Sequence, residues 1–327
     1  MPGPAAAPEP LSPAALAARV AALAGRDLGT KTRIALAVSG GADSLALLWL
    51  AAGAFPGRVT ALGVDHRLRP EAADELAGAA CAAASLGVPW VTIPLDAPPG
   101  PANLQAQARA ARYAALAGWC RAHETPLLLT AHHRDDQAET ILMRLMRGSG
   151  LSGLAGIRER VEIDGVLVLR PLLPHARAEL AGIVNQAGWA AAQDPSNRDP
   201  RHDRTRVRAL LAREPMLDPA RLAASAAHLA DAEAALDWAA ERAWASRARR
   251  YGDAILVDPE GLPAELRRRL LLRAFAELGA DGPDGPALAR LQAALEAGRT
   301  ATLAGIAARA LGDGGWRLRL AAPRHRT

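Results

Sequence analysis

Cysteine is almost absent from this 327-residue chain: there are two, Cys81 and Cys120, far apart and in no paired motif. That spacing argues against a disulfide framework or a cysteine-built zinc site, and it fits a reducing, cytoplasmic compartment. Lysine is scarcer still. Lys31 stands alone among 39 basic residues, so arginine carries the positive charge. Aromatic residues make up 3% of the chain, with two Phe and two Tyr. That is too few for the base-stacking platforms of the common single-strand RNA modules. No apolar stretch reaches membrane-spanning length without a charge or a proline. Residues 1–13 are rich in Pro and Ala, with no basic region ahead of an apolar run, and read as a tail rather than a signal peptide. No membrane role is expected.

Half of the residues are hydrophobic, which at this length suffices for two cored domains. The formal net charge of +5 suits a polyanionic partner. From Lys31 to about Met146 the chain alternates short apolar runs (34–38, 59–64, 90–93, 127–130) with helical patterns (45–52, 71–86, 103–123). Apolar strands joined by helical crossovers predict a doubly wound, mainly parallel sheet covered on both faces. Asp164-Gly165, between apolar residues 161–163 and 166–169, is a two-residue hairpin signal. A helix over 176–187 and a polar stretch over 193–203 follow. Beyond about Arg213 the pattern is almost purely helical (218–250, 265–278, 286–297), with short strands expected in the last segment, 302–320, around Trp316. The expected organisation is a tail and helix over 1–30, a catalytic α/β domain over 31–214, and a smaller, mainly helical domain over 215–327.

Ligands of such sheets sit beyond the carboxyl ends of the strands, and three motifs fall there. Val38-Ser39-Gly40-Gly41-Ala42-Asp43-Ser44 joins the first strand to a helix. A Gly-Gly turn at a helix N-terminus gathers backbone N–H groups and the positive end of the helix dipole into an anion site. Without a lysine after the glycines it is not a Walker A loop. The pattern S-G-G-x-D-S resembles the pyrophosphate-binding loop of the ATP pyrophosphatases. Asp43 among phosphates needs an intervening cation, for which magnesium is the candidate. A plainer account makes Asp43 a helix cap. Asp65-His66-Arg67-Leu68-Arg69 ends the second strand, where an acid often holds a ribose, or where a polar turn simply leads into a helix. His132-His133-Arg134-Asp135-Asp136-Gln137-Ala138-Glu139-Thr140 ends the fourth. Its histidines and acids can shuttle protons or bind cations, with Asp136 and Glu139 on one helical face. Capping by Asp135 would account for the acids alone.

Arg109 and Arg112 share a helix face that could meet phosphates or simply be solvated. Gly148-Ser149-Gly150-Leu151-Ser152-Gly153 fits G-x-G-x-x-G but follows a helix, so a flexible loop is expected in place of a dinucleotide site. Arg198, Arg201, Arg204, Arg206 and Arg208 cluster after Asp194-Pro195-Ser196-Asn197. Arg247, Arg249, Arg250 and Arg267 to Arg269 add charge further on. Both groups fit phosphate tracking on nucleic acid.

Taken in order, these motifs resemble tRNA(Ile)-lysidine synthetase along nearly the whole chain. Beyond the three strand-end motifs, the resemblance includes Ala111-Arg112-Tyr113, Arg147-Gly148-Ser149-Gly150-Leu151, Arg170-Pro171-Leu172-Leu173 and Asp194-Pro195-Ser196-Asn197. It implies an adenine nucleotide alpha hydrolase-like fold and a two-step ligation. ATP adenylates O2 of the wobble cytidine of an isoleucine tRNA with a CAU anticodon, and the ε-amine of free lysine then displaces AMP from C2. It also implies ATP contacts at Ser39, Gly40, Gly41, Ala42, Asp43, Ser44, Asp65 and His66, with magnesium at Asp43. Arg112 would steady the pentacovalent phosphorus. His133, Asp43 or Asp136 would be the base, or Asp136 and Glu139 would hold the ammonium of lysine. Arg204, Arg206 and Arg208 would meet the tRNA, although the family commonly has Arg-Asn where this chain has Arg204-Thr205. A homodimer is left open. The competing readings are a sulfur-inserting tRNA enzyme, which should carry a cysteine pair, a small-molecule amide-forming ATP pyrophosphatase, and a nucleotide-regulated RNA-binding protein without catalysis.

Overall fold

The computed structural model describes residues 10–66, 71–95, 104–192 and 203–321. Arg67-Leu68-Arg69, Asp194-Pro195-Ser196-Asn197, Arg198 and Arg201 lie outside the described residues. The chain divides into two compact units, residues 1–230 and 231–327.

The first unit is built on a six-stranded sheet of β1 (Ile34–Ala37), β2 (Val59–Asp65), β3 (Trp90–Pro94), β4 (Leu127–Leu129), β5 (Arg160–Ile163) and β6 (Val166–Leu169), in the order β3-β2-β1-β4-β6-β5. Every pairing is parallel except the β5–β6 hairpin, whose turn residues Asp164 and Gly165 both take positive φ, 49° and 76°. That backbone is what a two-residue hairpin turn demands, and Asp-Gly supplies it at low cost. Ile34, Leu36, Leu127, Leu128 and Leu129 are fully buried, as a sheet covered on both faces requires. One face packs on α1 (Pro13–Ala24), α2 (Ala42–Ala54) and α7 (Arg177–Gln186), the other on α4 (Leu104–Ala122) through Tyr113, Leu116, Ala117 and Cys120. Each such leucine contributes about 2 kcal/mol relative to exposure. The strand order reverses between β1 and β4, so the crevice for a ligand opens at the carboxyl ends of these two parallel strands.

The glycine-rich segment after α5 (Arg134–Met146) differs from expectation. It forms a short helix, α6 (Leu151–Leu154), and Arg144 fastens it by donating to the carbonyls of Gly153 and Gly156. Helix α8 (Asp203–Arg213) packs against α5, and α9 (Pro219–Arg247) runs on into the second unit.

The second unit also holds α10 (Ala264–Glu277) and α11 (Gly285–Glu296), packed on a five-stranded antiparallel sheet. Its strands are β7 (Ala248–Tyr251), β8 (Ala254–Val257), β9 (Thr300–Leu303), β10 (Ile306–Ala310) and β11 (Trp316–Leu320), in the order β7-β8-β11-β10-β9. β10 and β11 fall in the segment 302–320 where short strands were expected, whereas β7 and β8 were not expected. The helix expected over 218–250 ends at Arg247, because residues 248–251 pair with β8. Alanine and arginine favour helix in isolation, and tertiary pairing overrides that preference here. Among the described residues no helix is long and apolar enough to cross a membrane.

Candidate functional site

The loop between β1 and α2 turns on Gly40, whose φ is +85°. A Cβ at Gly40 would lie 2.7 Å from the Glu75 carbonyl oxygen of α3 (Glu71–Ser85), so close approach as well as conformation selects glycine. Ser44 is buried and braces the turn. Its hydroxyl donates to the Gly41 carbonyl (2.8 Å) and accepts from the Ser39 N–H (3.1 Å). The first hydrogen bond of α2 is Leu45 N–H to Gly41 C=O, which leaves the amides of Ala42, Asp43 and Ser44 without a helical acceptor. Asp43 stands in this first turn with Oδ1 buried and unpartnered.

Asp43 Oδ2 lies 3.4 Å from Nε2 of His133, a side chain only 1% exposed. His133, not Asp135, is the N-cap of α5, and Asp136 Oδ2 accepts from its backbone N–H at 3.1 Å. The His133 ring meets three carboxylates: Asp43, Asp135 (3.7 Å) and Asp136 (3.5 Å). Burial alone would depress its pKa. The hydrogen bonds of Asp135 and Asp43 and the charges of Asp136 and Asp43 outweigh burial and raise it to about 9. The imidazolium therefore prevails at neutral pH. In that state Nδ1 donates toward Asp135, and its 3.4 Å contact with the Asp136 N–H is not a hydrogen bond. Asp135 is held down to about 2, chiefly by this histidine, and also accepts from the Arg177 N–H that opens α7.

Asp136 and Glu139 are occupied. Glu139 is 2% exposed, with Arg204 Nε at 2.6 Å and Arg208 Nε at 2.7 Å, and Arg204 also donates to Asp136 Oδ1. Two of the three arginines expected to face RNA thus turn inward onto the acid pair. Arg206 points out, 68% exposed, beside a groove of about 390 Å³ between α5 and α8 that Met143, Met146 and Leu210 help to line.

A second, cationic group gathers on α4 and at the ends of β2, β4 and β6. Arg109 and Arg112 each lie over the Tyr113 ring, at 5.2 and 5.4 Å. Arg170, nine-tenths buried, donates to the Arg158 carbonyl (2.5 Å) and to Tyr113 Oη (3.5 Å). Burial, with Arg170, Arg109, Arg112 and Arg204 around it, drives His132 well below its ordinary pKa. His132 is therefore neutral, held by Thr130 Oγ1 at 2.9 Å on Nδ1. Burial and Arg112 likewise depress His66, at the end of β2 next to Asp65. The side-chain atoms Arg112 Nε, Arg170 Nε and His66 Nδ1 are buried without partners. Arg170 and Tyr113 stand in motifs of the sequence that suggested no role for them, and His132 was expected only to shuttle protons or bind a cation. The rule that ligands lie past strand ends, applied to β4 and β6, singles out His132 and Arg170.

The arrangement is an N–H cradle, a triply paired imidazolium, a caged acid pair and an arginine cluster around one crevice, suited to holding phosphates beside a cationic substrate. A PP-loop domain family matches residues 14–214. A tRNA(Ile)-lysidine synthase of Novosphingobium aromaticivorans is 47% identical over 298 residues, 90% of each chain. The chain belongs to the tRNA(Ile)-lysidine synthase family. Another tRNA(Ile)-lysidine synthase, from Zymomonas mobilis, is 42% identical over 89% of each chain. Among solved structures, the U34-tRNA thiolase NcsA of Methanococcus maripaludis aligns with a TM-score of 0.54 at 17% identity, covering 66% of this chain and 78% of its own, a likeness of fold. This member of the lysidine synthase family has no cysteine pair. Cys81 and Cys120 are free, and burial pushes the Cys120 thiol up to about 12.

Proposed function

We infer that this chain ligates lysine to C2 of the wobble cytidine of a CAU-anticodon isoleucine tRNA, through an adenylated cytidine. The observation that carries the reading is the run of contacts from the loop carboxylate Asp43, through charged His133, to Asp136 and on through Arg204 to Glu139. It links the diphosphate cradle to a pair of acids able to receive an amine.

In the first step the β and γ phosphates of ATP lie on the amides of residues 40–44 and the Ser39 hydroxyl, with Asp65 and His66 toward the nucleoside. Cytidine O2 attacks the α phosphorus as diphosphate leaves. Arg112, with Arg109 and Arg170 behind it, steadies the charge on the pentacovalent centre. His133, held as a cation, sets positive charge beside the leaving diphosphate and orients Asp43. Magnesium needs only one or two protein carboxylates once phosphate oxygens complete its shell, and Asp43 with its unpartnered Oδ1 is the ligand that would hold it. Bound there, the ion would offset phosphate charge.

In the second step the amine of lysine attacks C2 and AMP departs. An imidazolium cannot accept a proton, so Asp43 and Asp136 are the groups left to take the ammonium proton. Arg204 and Arg208 now fill the acid pair, so the ammonium of lysine enters by competing with them at Asp136 and Glu139. Arg206 remains for the RNA backbone.

Incubation with ATP, magnesium, labelled lysine and a CAU-anticodon tRNA transcript should place label in the RNA with one AMP per lysine. Label-free RNA under conditions where ATP binds would overturn the reading.

A further inference from the structure

Residues directly opposed across an antiparallel sheet share a face. In the second unit, Val257, Trp316 and Ala310 align on the face that packs on the core. One residue out of phase, Arg249, Arg317 and Arg309 fall in one row across β7, β11 and β10, through Leu256 of β8. Arg319 and Tyr251 fall in the next row, through Ala254. Arg249, Arg309 and Arg319 are exposed, and Tyr251 is 67% exposed.

The other arginines of this unit are largely spoken for. Arg247 pairs with Asp258, Arg267 with Glu296, Arg268 with Glu265, and Arg269 with Glu233, Asp237 and Glu265. On the open sheet face, by contrast, the strands carry no carboxylate. Among the described residues the one ion pair there is Arg317 with Asp253, at 3.9 Å. Arg317 and Arg309 are directly opposed, an arrangement of like charges that destabilises a sheet. Charged residues often guard edge strands against aggregation, which would account for Arg249 on β7. That purpose does not reach β11 and β10, which have neighbours on both sides. A face that concentrates one sign of charge at a cost in stability is built for a polyanion.

We propose that this open sheet face holds the RNA backbone, with Arg249, Arg309, Arg317 and Arg319 on phosphates and Tyr251 against a ribose or base. This rests on the RNA-modifying reading above and assigns the second unit's RNA contact to the sheet, in place of the paired arginines of α10. The full-length R309Q/R317Q/R319Q variant should bind the CAU-anticodon tRNA transcript about tenfold or more weakly, and the slope of log K against log salt between 50 and 200 mM should fall by about 2–3. Its turnover at saturating tRNA and its KM for ATP should be unchanged. A charge-matched control, R221Q/R242Q/R290Q, should retain wild-type affinity. Wild-type affinity and slope in the sheet variant, or an equal loss in the control, overturns the proposal. So does a variant that loses affinity for anionic lipid vesicles while keeping tRNA. If the triple variant melts early, R319Q alone should lower the slope by about one, and an unchanged slope counts against the proposal. Failure of the wild-type chain to label RNA would sink the ligase reading alone, because the binding comparison does not depend on turnover.

Discussion

At the scale of single residues, the charge on His133 is the most consequential feature of the site. Its pKa rises from 6.5 to about 9 on folding, so the stabilisation is complete below about pH 6.5 and is lost as pH climbs through about 9. The rise corresponds to on the order of 3 kcal/mol, shared among three carboxylates. The depression of Asp135 to about 2 is the same interaction seen from its partner, so the two are not summed. The part it reflects persists above about pH 3.8 and disappears as pH falls through about 2. His133→Gln should therefore flatten the loss of stability between pH 7 and 9.5, as chemical denaturation at several pH values would detect. An unchanged pH dependence would mean that His133 is neutral in the folded chain. Asp43→Ala tests the opposite end of the same contact. It should abolish lysine incorporation while leaving tRNA affinity within about twofold of wild type, because the side chain stands in the first turn of α2 against His133. Normal turnover of this variant would remove Asp43 from the machinery.

Among elements, α8 and the loop after β1 show how backbone geometry sorts side chains by role. Arg204 and Arg208 lie one turn apart on the side of α8 that meets α5, while Arg206, between them, faces out. Glu139→Gln should cost about 1–3 kcal/mol in an unfolding titration, below the range for a fully buried pair because both arginines are partly exposed. It should also raise the KM for lysine. Arg206→Glu should instead weaken tRNA binding with the KM for lysine unchanged. Gly40→Ala should destabilise the chain by about 1–3 kcal/mol and weaken ATP binding, since the new Cβ meets the α3 backbone in a left-handed turn. Calorimetric titration with ATP checks the second effect. The glycine turn was legible in the sequence because a strand, two glycines and a helix start are local signals. So was the Asp164-Gly165 hairpin. The partners of Arg204 were not legible, since α5 and α8 are far apart in sequence and only packing joins them. The β9–β10 hairpin was hidden for a different reason. Its turn is Ala304-Gly305, with Ala304 at φ +45°, and alanine is not a residue that announces such a backbone.

For the whole molecule, the division into two units bears on cooperativity. The apolar cores are separate: one set covers the six-stranded sheet of residues 1–230, and another lies between α10, α11 and the five-stranded sheet of residues 231–327. Length allows for two cores, but alanine-rich patterning concealed a sheet in the second unit. Chains with separate cores commonly unfold in more than one step. Every residue proposed to touch ATP belongs to the first unit. A ligand stabilises the state that binds it by RT ln(1 + [L]/Kd), about 2.7 kcal/mol at one hundred times Kd. Saturating ATP with magnesium should then raise the melting temperature of one calorimetric transition and leave a second in place, and Asp43→Ala should abolish that shift. A single transition moving as a whole would mean that the two units unfold together, with the energy of nucleotide binding spread over the full chain.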